Sequence, residues 1–427
     1  SLLGGDGGDG GDGDGGGSTG GDGQVGTDPI PAGMLTFTQG AAGVLGVQAQ
    51  RGAELAVQRI NDAGGIAGQR EVQLDIADEA EDALSKYRTF IDEGKMVTFG
   101  PISSGTHESL APEVESQEVV NVSTDGTVTT LYEETVPDPT YSFRFQNYDV
   151  MECVAAALDT VERYGVPDTV AGVNPNYAFG RDEFSHYVHA LEQINPDLEV
   201  VYEGYPELGA SDMSSHMSSI NSAEPDVVFT SCWGADAITF LSQADANDVF
   251  DNVDLVEGTV LYGTAVNIDP GIVSGTDTPI AGGIRNHYWD HPPHERWSPG
   301  EELITTAQEE YDVASPGGSF MSGYGAVMSW ATAAEKAVDL LGYWPSQEEL
   351  ARMLEGHGFF SPAGYHNMAE DHQGRSNAHY GEIVEAEGSD PHLPVELDNL
   401  QVYSATEVAP PPGQAASDWI DGWEPIN

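Results

Sequence analysis

Two hydroxyl-rich segments carry most of the chemistry this chain could perform. FGPISSGTH (residues 99–107) places Ser103, Ser104 and Thr106 where a strand-like run gives way to a helical pattern. VSTDGT (122–127) repeats the arrangement with Ser123, Thr124, Asp125 and Thr127. In the first turn of a helix the backbone N–H groups lack intrahelical acceptors and the dipole turns its positive end outward. Two such loops side by side form a neutral anion cradle of the type that suits a carboxylate. Ser and Thr also serve as ordinary helix caps; it is the pairing of two loops at neighbouring strand ends that favours binding. Asp125 departs from a pure anion cradle, since it would repel a carboxylate or, turned the other way, receive an ammonium group. Two more loops add rings: NPNYAFGRD (174–182) offers Tyr177 and Phe179, and SCWGAD (231–236) offers Trp233 and Asp236. An aromatic after a strand is commonly core, but the shared strand-end position of Phe179 and Trp233 marks them as wall.

Other chemistries fare worse. NHYWDHPPHERW (286–297) holds His287, His291 and His294 with Asp290 and Glu295. Pro292 and Pro293 break the helix that i, i+4 imidazole chelation would need, so no metal site is expected. His366, His372 and His379 are read as structural. The chain has no G-x-S-x-G elbow, no S-x-x-K, no HExxH and no phosphate-loop lysine motif, so no catalytic residues and no cofactor are assigned. Acid pairs such as Asp78/Glu79 carry no catalytic information in so acidic a chain.

The elements that must hold these loops alternate. Met34 to Thr38, Val72 to Ala77, Met96 to Phe99 and Val119 to Val122 read as strands, with helices over 46–63, 81–94 and 106–117. Ala49, Ala53, Ala56, Val57 and Ile60 make one face of the first helix, and Gly64 and Gly65 end it. A second series follows: helices over 148–164, 179–193, 211–222 and 234–246 alternate with strands over 169–174, 199–205, 227–231 and 259–262. Ala281 to Tyr288 reads as a crossing strand, followed by helices over 300–311 and 321–341. A strand pair near 364–387 and a Pro-rich close follow. The fold class is α/β, two doubly wound Rossmann-like lobes with ligand-binding turns at the carboxyl ends of parallel strands.

The chain has 427 residues, enough for two cores. Its formal net charge of −57 excludes a general phosphate-backbone binder, so no nucleic acid partner is expected. Seventy-one Asp and Glu stand against 14 Lys and Arg, a surface that molar salt would screen. It is read as a halophile's surface, an acidic extracellular protein in ordinary medium being the alternative. Residues 1–33, rich in Gly and Asp, read as a flexible tether. No apolar run is long enough for a membrane helix, and Ser1 in place of Met is read as the mark of a removed export signal. Cys153 and Cys232 are too few for a disulfide framework and are read as buried thiols, a single bond staying open.

The Gly40, Gly46, Gly52 ladder followed by GAELAVQRINDAGGIAG (52–68) resembles the opening of the type I periplasmic binding proteins of the leucine/isoleucine/valine branch, the solute receptors of ABC importers. The resemblance runs more loosely to about residue 405. It implies an N-terminal lobe of 34–145 plus 282–357, a C-terminal lobe of 146–281 plus 358–427, and a multi-strand hinge. It implies that Ser104 and Thr127 hold a solute carboxylate, that Phe179 stacks on the solute, and that Leu45 stands where some members place an aromatic. The acid that pairs an ammonium group should follow strand 259–262, where this chain has Thr264 and Ala265. Either Asp236 or Asp125 substitutes, or the solute is not an α-amino acid. The implied partners are a small amino-acid-like, amide or organic-acid solute and ABC permease subunits. The implied place is outside the cell, either free or held at the membrane surface through the N-terminal tail. The alternatives are a surface protein that forms a homo-oligomer or filament through residues 1–33, and an amide-sensing regulator on the same fold.

Overall fold

The computed structural model describes residues 24–40, 42–283, 298–313, 316–361, 364–387 and 393–424. Strands β1 (Ile30–Thr36), β2 (Val72–Asp78), β3 (Val97–Phe99), β4 (Asn121–Ser123) and β5 (Ser142–Arg144) form a parallel sheet in the order β2-β1-β3-β4-β5. Helices α1 (Gly43–Asp62), α2 (Ala83–Asp92) and α3 (Ser104–Gln117) link successive strands. Side chains alternate across β1, as a strand buried on both faces requires. Ile30, Ala32 and Met34 enter one core with Phe99 and Val122, and Leu35 meets Tyr87, Phe90, Leu110 and Val114 on the other face. Gly33 has no side chain because the Phe90 ring fills the space a Cβ would need.

The chain then crosses to a second sheet. Helices α4 (Asp149–Arg163), α5 (Ala178–Ile194), α6 (Ser214–Ala223), α7 (Gly234–Ala246) and α8 (Pro270–Ser274) connect strands β6 (Thr169–Val173), β7 (Glu199–Gly204), β8 (Val227–Thr230), β9 (Leu255–Gly258) and β10 (Ile280–Gly283). Helices α9 (Ser298–Tyr311), α10 (Gly318–Leu341) and α11 (Gln347–Leu354) return to the first core, where Leu303, Trp330 and Leu350 are buried. Next comes a small antiparallel sheet of β11 (Gly358–Ser361), β12 (Gly364–Met368) and β13 (Gly374–Arg375). Strands β14 (Ala378–Glu385) and β15 (Val395–Tyr403) finish the second sheet, ordered β15-β14-β10-β9-β8-β6-β7. Along β8 the alternation separates its two cores: Val228 faces Met217 and Phe240, while Val227 and Phe229 face Tyr187 and Leu191. The Pro-rich close ends in that second core with Ala416, Ile420 and Trp423.

Helices α1 and α10 approach until backbone meets side-chain space. A Cβ on Gly52 would strike the Phe320 carbonyl, and one on Gly323 the Ala49 carbonyl. At the crossover between sheets lies Arg144, wholly buried. Its Nη1 donates to the carbonyls of Gly126 and Val128, each at 2.8 Å, and its Nη2 to Gln373. Phe143 stacks on His372 and Phe145 on His366, at ring separations of 3.9 and 4.1 Å.

Four expectations change. The first strand begins at Ile30, not Met34, so the last residues assigned to the tether, 30–33, belong to the sheet; Pro31 and Gly33 look like breakers, but parallel pairing with Val72–Asp75 fixes them. The strand expected at 259–262 is β9, four residues earlier, and Leu261–Asn267 is a 3-10 helix. Both runs are apolar, and it is Val256, opposite Val228 and Ile280, that the sheet takes. The expected crossing strand 281–288 begins as β10 inside the second sheet, and 284–288 lie outside the described residues. Phe359 and Met368 join the first core although the sequence assigns residues from 358 to the second lobe. Of residues 1–33, on which the filament alternative rests, 1–23 lie outside the described residues, as does the His-rich segment 286–297. Among those described, no helix is long and apolar enough to cross a membrane and no group of metal-ligating side chains gathers. Cys153 and Cys232 are buried thiols in separate cores, with no disulfide between them.

Candidate functional site

Between the two sheets lies a cavity of about 670 Å³, mouth included. Its walls are the ends of helices. Leu45 comes from the first turn of α1, Ser103 caps α3 and Ser104 begins it, and Ser319 is the second residue of α10. From the other sheet, Tyr177 precedes α5 with Phe179 in its first turn, and Trp233 precedes α7 with Gly234 at its start. Asp125 and Thr127 descend from the loop after β4; Val260, Gly263, Thr264 and Gly283 come from the β9 and β10 ends, and Gln146 from the crossover. Helix N-termini from both sheets therefore meet in one space, a field that favours negative charge.

The hydroxyl loops are built from behind by groups that do not line the cavity. Glu79, at the end of β2, accepts from the backbone N–H of Ile102 at 2.8 Å and of Ser103 at 2.9 Å. Burial pushes its carboxyl up to about 8, with the two donated bonds opposing and Asp125 and Asp78 adding repulsion. Ser103 Oγ accepts from Thr106 N–H at 3.5 Å, an N-cap contact. Ser123 Oγ donates to the Pro101 carbonyl at 2.9 Å and Thr124 Oγ1 to the same oxygen at 3.3 Å, which ties the β4 loop to the β3 loop. Thr127 is held on both sides, because Arg144 grips the carbonyls of its neighbours Gly126 and Val128. His107 Nδ1 lies 3.3 Å from the Gly126 carbonyl as well. Burial, then the Arg144 charge, lowers the His107 pKa to about 3, so the ring is neutral and its Nδ1 proton donates.

Across the cleft, Trp233 Nε1 donates to the Tyr177 hydroxyl at 2.9 Å. Tyr177 and Phe179 rings lie 5.9 Å apart with planes inclined by 29°. Asn174 Oδ1 accepts from Ser231 N–H at 2.7 Å and from its hydroxyl at 2.8 Å, locking the ends of β6 and β8 that carry these rings. The lobes touch beside the cavity: Ala178 packs on the first-lobe cluster of Ala111, Val128 and Leu131, and the Asp182 carboxyl meets the N–H groups of Thr129 and Thr130. Burial, then repulsion from Asp149, pushes Asp182 up to about 7.

Of the residues singled out in the sequence, Leu45, Ser103, Ser104, Asp125, Thr127, Tyr177, Phe179 and Trp233 share this cavity. Thr106, Ser123, Thr124 and Asp236 do not line it. Ser123 and Thr124 brace the loop from within. Asp236 is turned to the Gly209 N–H, at 3.1 and 3.0 Å from its two oxygens, and so does not stand where an ammonium partner would. Ile102, Gln146, Gly234, Val260, Gly263, Gly283 and Ser319 were not anticipated. Ser319 had a signal, since Pro316-Gly317-Gly318 stands just before it where a long helical run begins. Gln146 had none, for its place depends on where the crossover bends. Thr264 does reach the wall, and its Oγ1 donates to the Leu261 carbonyl at 2.8 Å.

Comparison with known proteins adds the following. A family model described as periplasmic binding protein matches residues 29–389. Leu/Ile/Val-binding protein homolog 7 of Brucella abortus (strain 2308) is 27% identical over 237 residues, 52% of this chain and 58% of the relative. The chain thus spans a little over half the length of that curated relative. Among solved structures, a solute-binding protein of an ABC transporter from Rhodopseudomonas palustris in complex with benzoate superposes with a TM-score of 0.69 at 16% identity, over 87% of this chain and 98% of that one. A leucine-binding protein from Thermotoga maritima gives 0.68 at 16% identity, over 88% and 99%. Likeness at these identities speaks for the fold.

Proposed function

The chain belongs to the periplasmic binding protein family, and from that premise we propose that it is the extracytoplasmic solute receptor of an ABC importer, binding without catalysis and delivering a small solute to permease subunits. One observation carries the reading: a single cavity between the sheets is walled by hydroxyls and helix N-termini on one side and by three aromatic rings on the other. A solute with a polar end at Ser104 and Thr127 and a body against Tyr177, Phe179 and Trp233 would bridge the two lobes. Contacts available only when both walls meet would shift an open–closed equilibrium toward the closed form.

The test is to purify the protein natively, identify by mass spectrometry the small molecules it carries, and return each to the stripped protein in a melting experiment. The proposal expects at least one to raise Tm in the wild type and not in Ser104→Ala/Thr127→Ala. A stripped protein whose Tm no carried molecule raises, nor any amino acid, amide or organic acid of a broad panel, contradicts it. Attachment to a membrane, and the halophilic setting of so acidic a surface, belong to the same proposal and rest on composition alone.

A further inference from the structure

We propose that Asp182 is a proton-operated latch between the lobes: carrying its proton it lets them close over the cavity, and ionised it works against closure. The inference rests on the solute-receptor reading and adds how closure of that site is regulated.

Helix α5 is the second-lobe element that reaches across. Phe179 in its first turn lines the cavity, and Ala178 packs on Ala111, Val128 and Leu131 of the first lobe. One turn further on, the Asp182 carboxyl meets the N–H groups of Thr129 and Thr130. These residues follow Thr127 directly in the chain, so the contact that seats Asp182 also sets one wall of the cavity. Asp182 Oδ2 is shut off from solvent and has no hydrogen-bond partner. A buried carboxylate oxygen without a donor is costly while it is charged, and a proton removes the charge. With the lobes apart, water reaches the same oxygen, so the cost belongs to the closed form.

The groups around Asp182 add to that cost. Asp149 at the start of α4 and Glu108 on α3 both repel it, and Glu108 accepts from the Thr130 hydroxyl at 3.2 Å. The basic groups are engaged elsewhere. Arg144 holds the Gly126 and Val128 carbonyls, Arg181 is turned to Asn176 and the Tyr205 ring, and His189 meets Asp421. His186, one turn beyond Asp182, is lowered to about 4 by burial, with Asp149 opposing, and the His107 ring across the interface is neutral as well. Glu183 accepts from the Thr259 hydroxyl at 2.5 Å and Glu133 from the Ala416 N–H at 2.6 Å, while Glu134 is exposed. Burial and this repulsion outweigh the two N–H groups and raise Asp182 from its ordinary 3.8 to about 7. A group whose closed-state value is raised favours closure fully below its open-state value, and that preference is lost as pH rises through the closed-state one. A single proton changes the closed-to-open ratio by up to about tenfold per pH unit between them.

The experiment places nitroxide labels on Ser116→Cys in α3 and Ser222→Cys in α6, exposed positions on the two lobes. Cys153 and Cys232 are buried, so the labels go to the added thiols. Pulsed electron paramagnetic resonance then reads the separation in the stripped full chain at constant salt, from about pH 5 to pH 8, the range around the raised value. The expected result is a ratio of short to long separation at least about tenfold higher at the acid end. With Asp182→Asn added, the short separation should dominate throughout. Should that variant fail to fold, Asp149→Asn serves instead, and with the larger source of repulsion gone the transition should move to lower pH; a transition that stays in place counts against the latch. A ratio that does not change with pH, or one that changes equally in Asp182→Asn, overturns the latch. Either result leaves the receptor reading to its own test with the molecules carried through native purification.

Discussion

Glu79 accepts from one hydroxyl loop and Arg144 donates to the other, and each can be tested alone. The Glu79 carboxyl, raised by burial from its ordinary 4.5 to about 8, holds its proton more tightly in the native state than in the unfolded chain. Its contribution to stability is therefore complete below the unfolded value and is lost as pH rises through the native one. Glu79→Gln should flatten the fall of Tm between about pH 5 and pH 8, the window set by those two values; a fall as steep as in the wild type would show that Glu79 does not titrate there. Arg144 is a buried cation whose partners are backbone carbonyls and Gln373. Arg144→Met leaves the Gly126 and Val128 carbonyls without that donor, for a loss of about 2–4 kcal/mol in urea unfolding, and loosens Thr127 along with stability. A change under about 0.5 kcal/mol would assign the loop's order to its other bonds. Ser104 and Thr127, which the resemblance singled out, do line the cavity, whereas residue type and strand-end position alone pointed equally to Ser123 and Thr124. The roles of Ser123, Thr124 and Asp236 were not legible, because a hydroxyl or carboxylate that faces solute and one that braces a loop have the same spelling.

At the scale of elements, the fold depends on how closely α1 and α10 come together. Gly52 and Gly323 each face a carbonyl of the other helix, so a methyl group at either forces the helices apart. Gly323→Ala is expected to cost about 1–3 kcal/mol. Gly105→Ala in α3, where only the Ser103 hydroxyl comes within 4.0 Å, should be neutral or stabilise by up to about 1 kcal/mol through helix propensity. Equal effects at the two positions would mean that crowding is not what the first glycine prevents. The alternation of strands and helices was readable because buried parallel strands and amphipathic helices have different periods. What failed was local: Leu255–Val256 and Val260–Tyr262 are both short apolar runs, and only partners on β8 and β10, distant in sequence, decide which run is strand. Likewise Ile30–Gly33 looks like tether until β2 is there to pair with it.

For the whole molecule, 71 acidic against 14 basic residues leave a strongly self-repelling surface. The Debye length falls from about 10 Å at 0.1 M salt to about 3 Å at 1 M, so Tm should climb over that range of KCl and urea should unfold the protein more easily at the low end. A Tm independent of salt would mean that the surface charges are too far apart or too well solvated to matter. Inside this shell the two lobes meet at α5, where the Asp182 carboxyl faces first-lobe N–H groups, and enclose the cavity on which the functional reading depends. The most direct test is calorimetric titration of the stripped protein with the molecule it carries through native purification. One-site binding that Ser104→Ala/Thr127→Ala abolishes, with the unliganded melt preserved, is the predicted result; binding of undiminished affinity in that double variant would place the solute elsewhere and contradict the account.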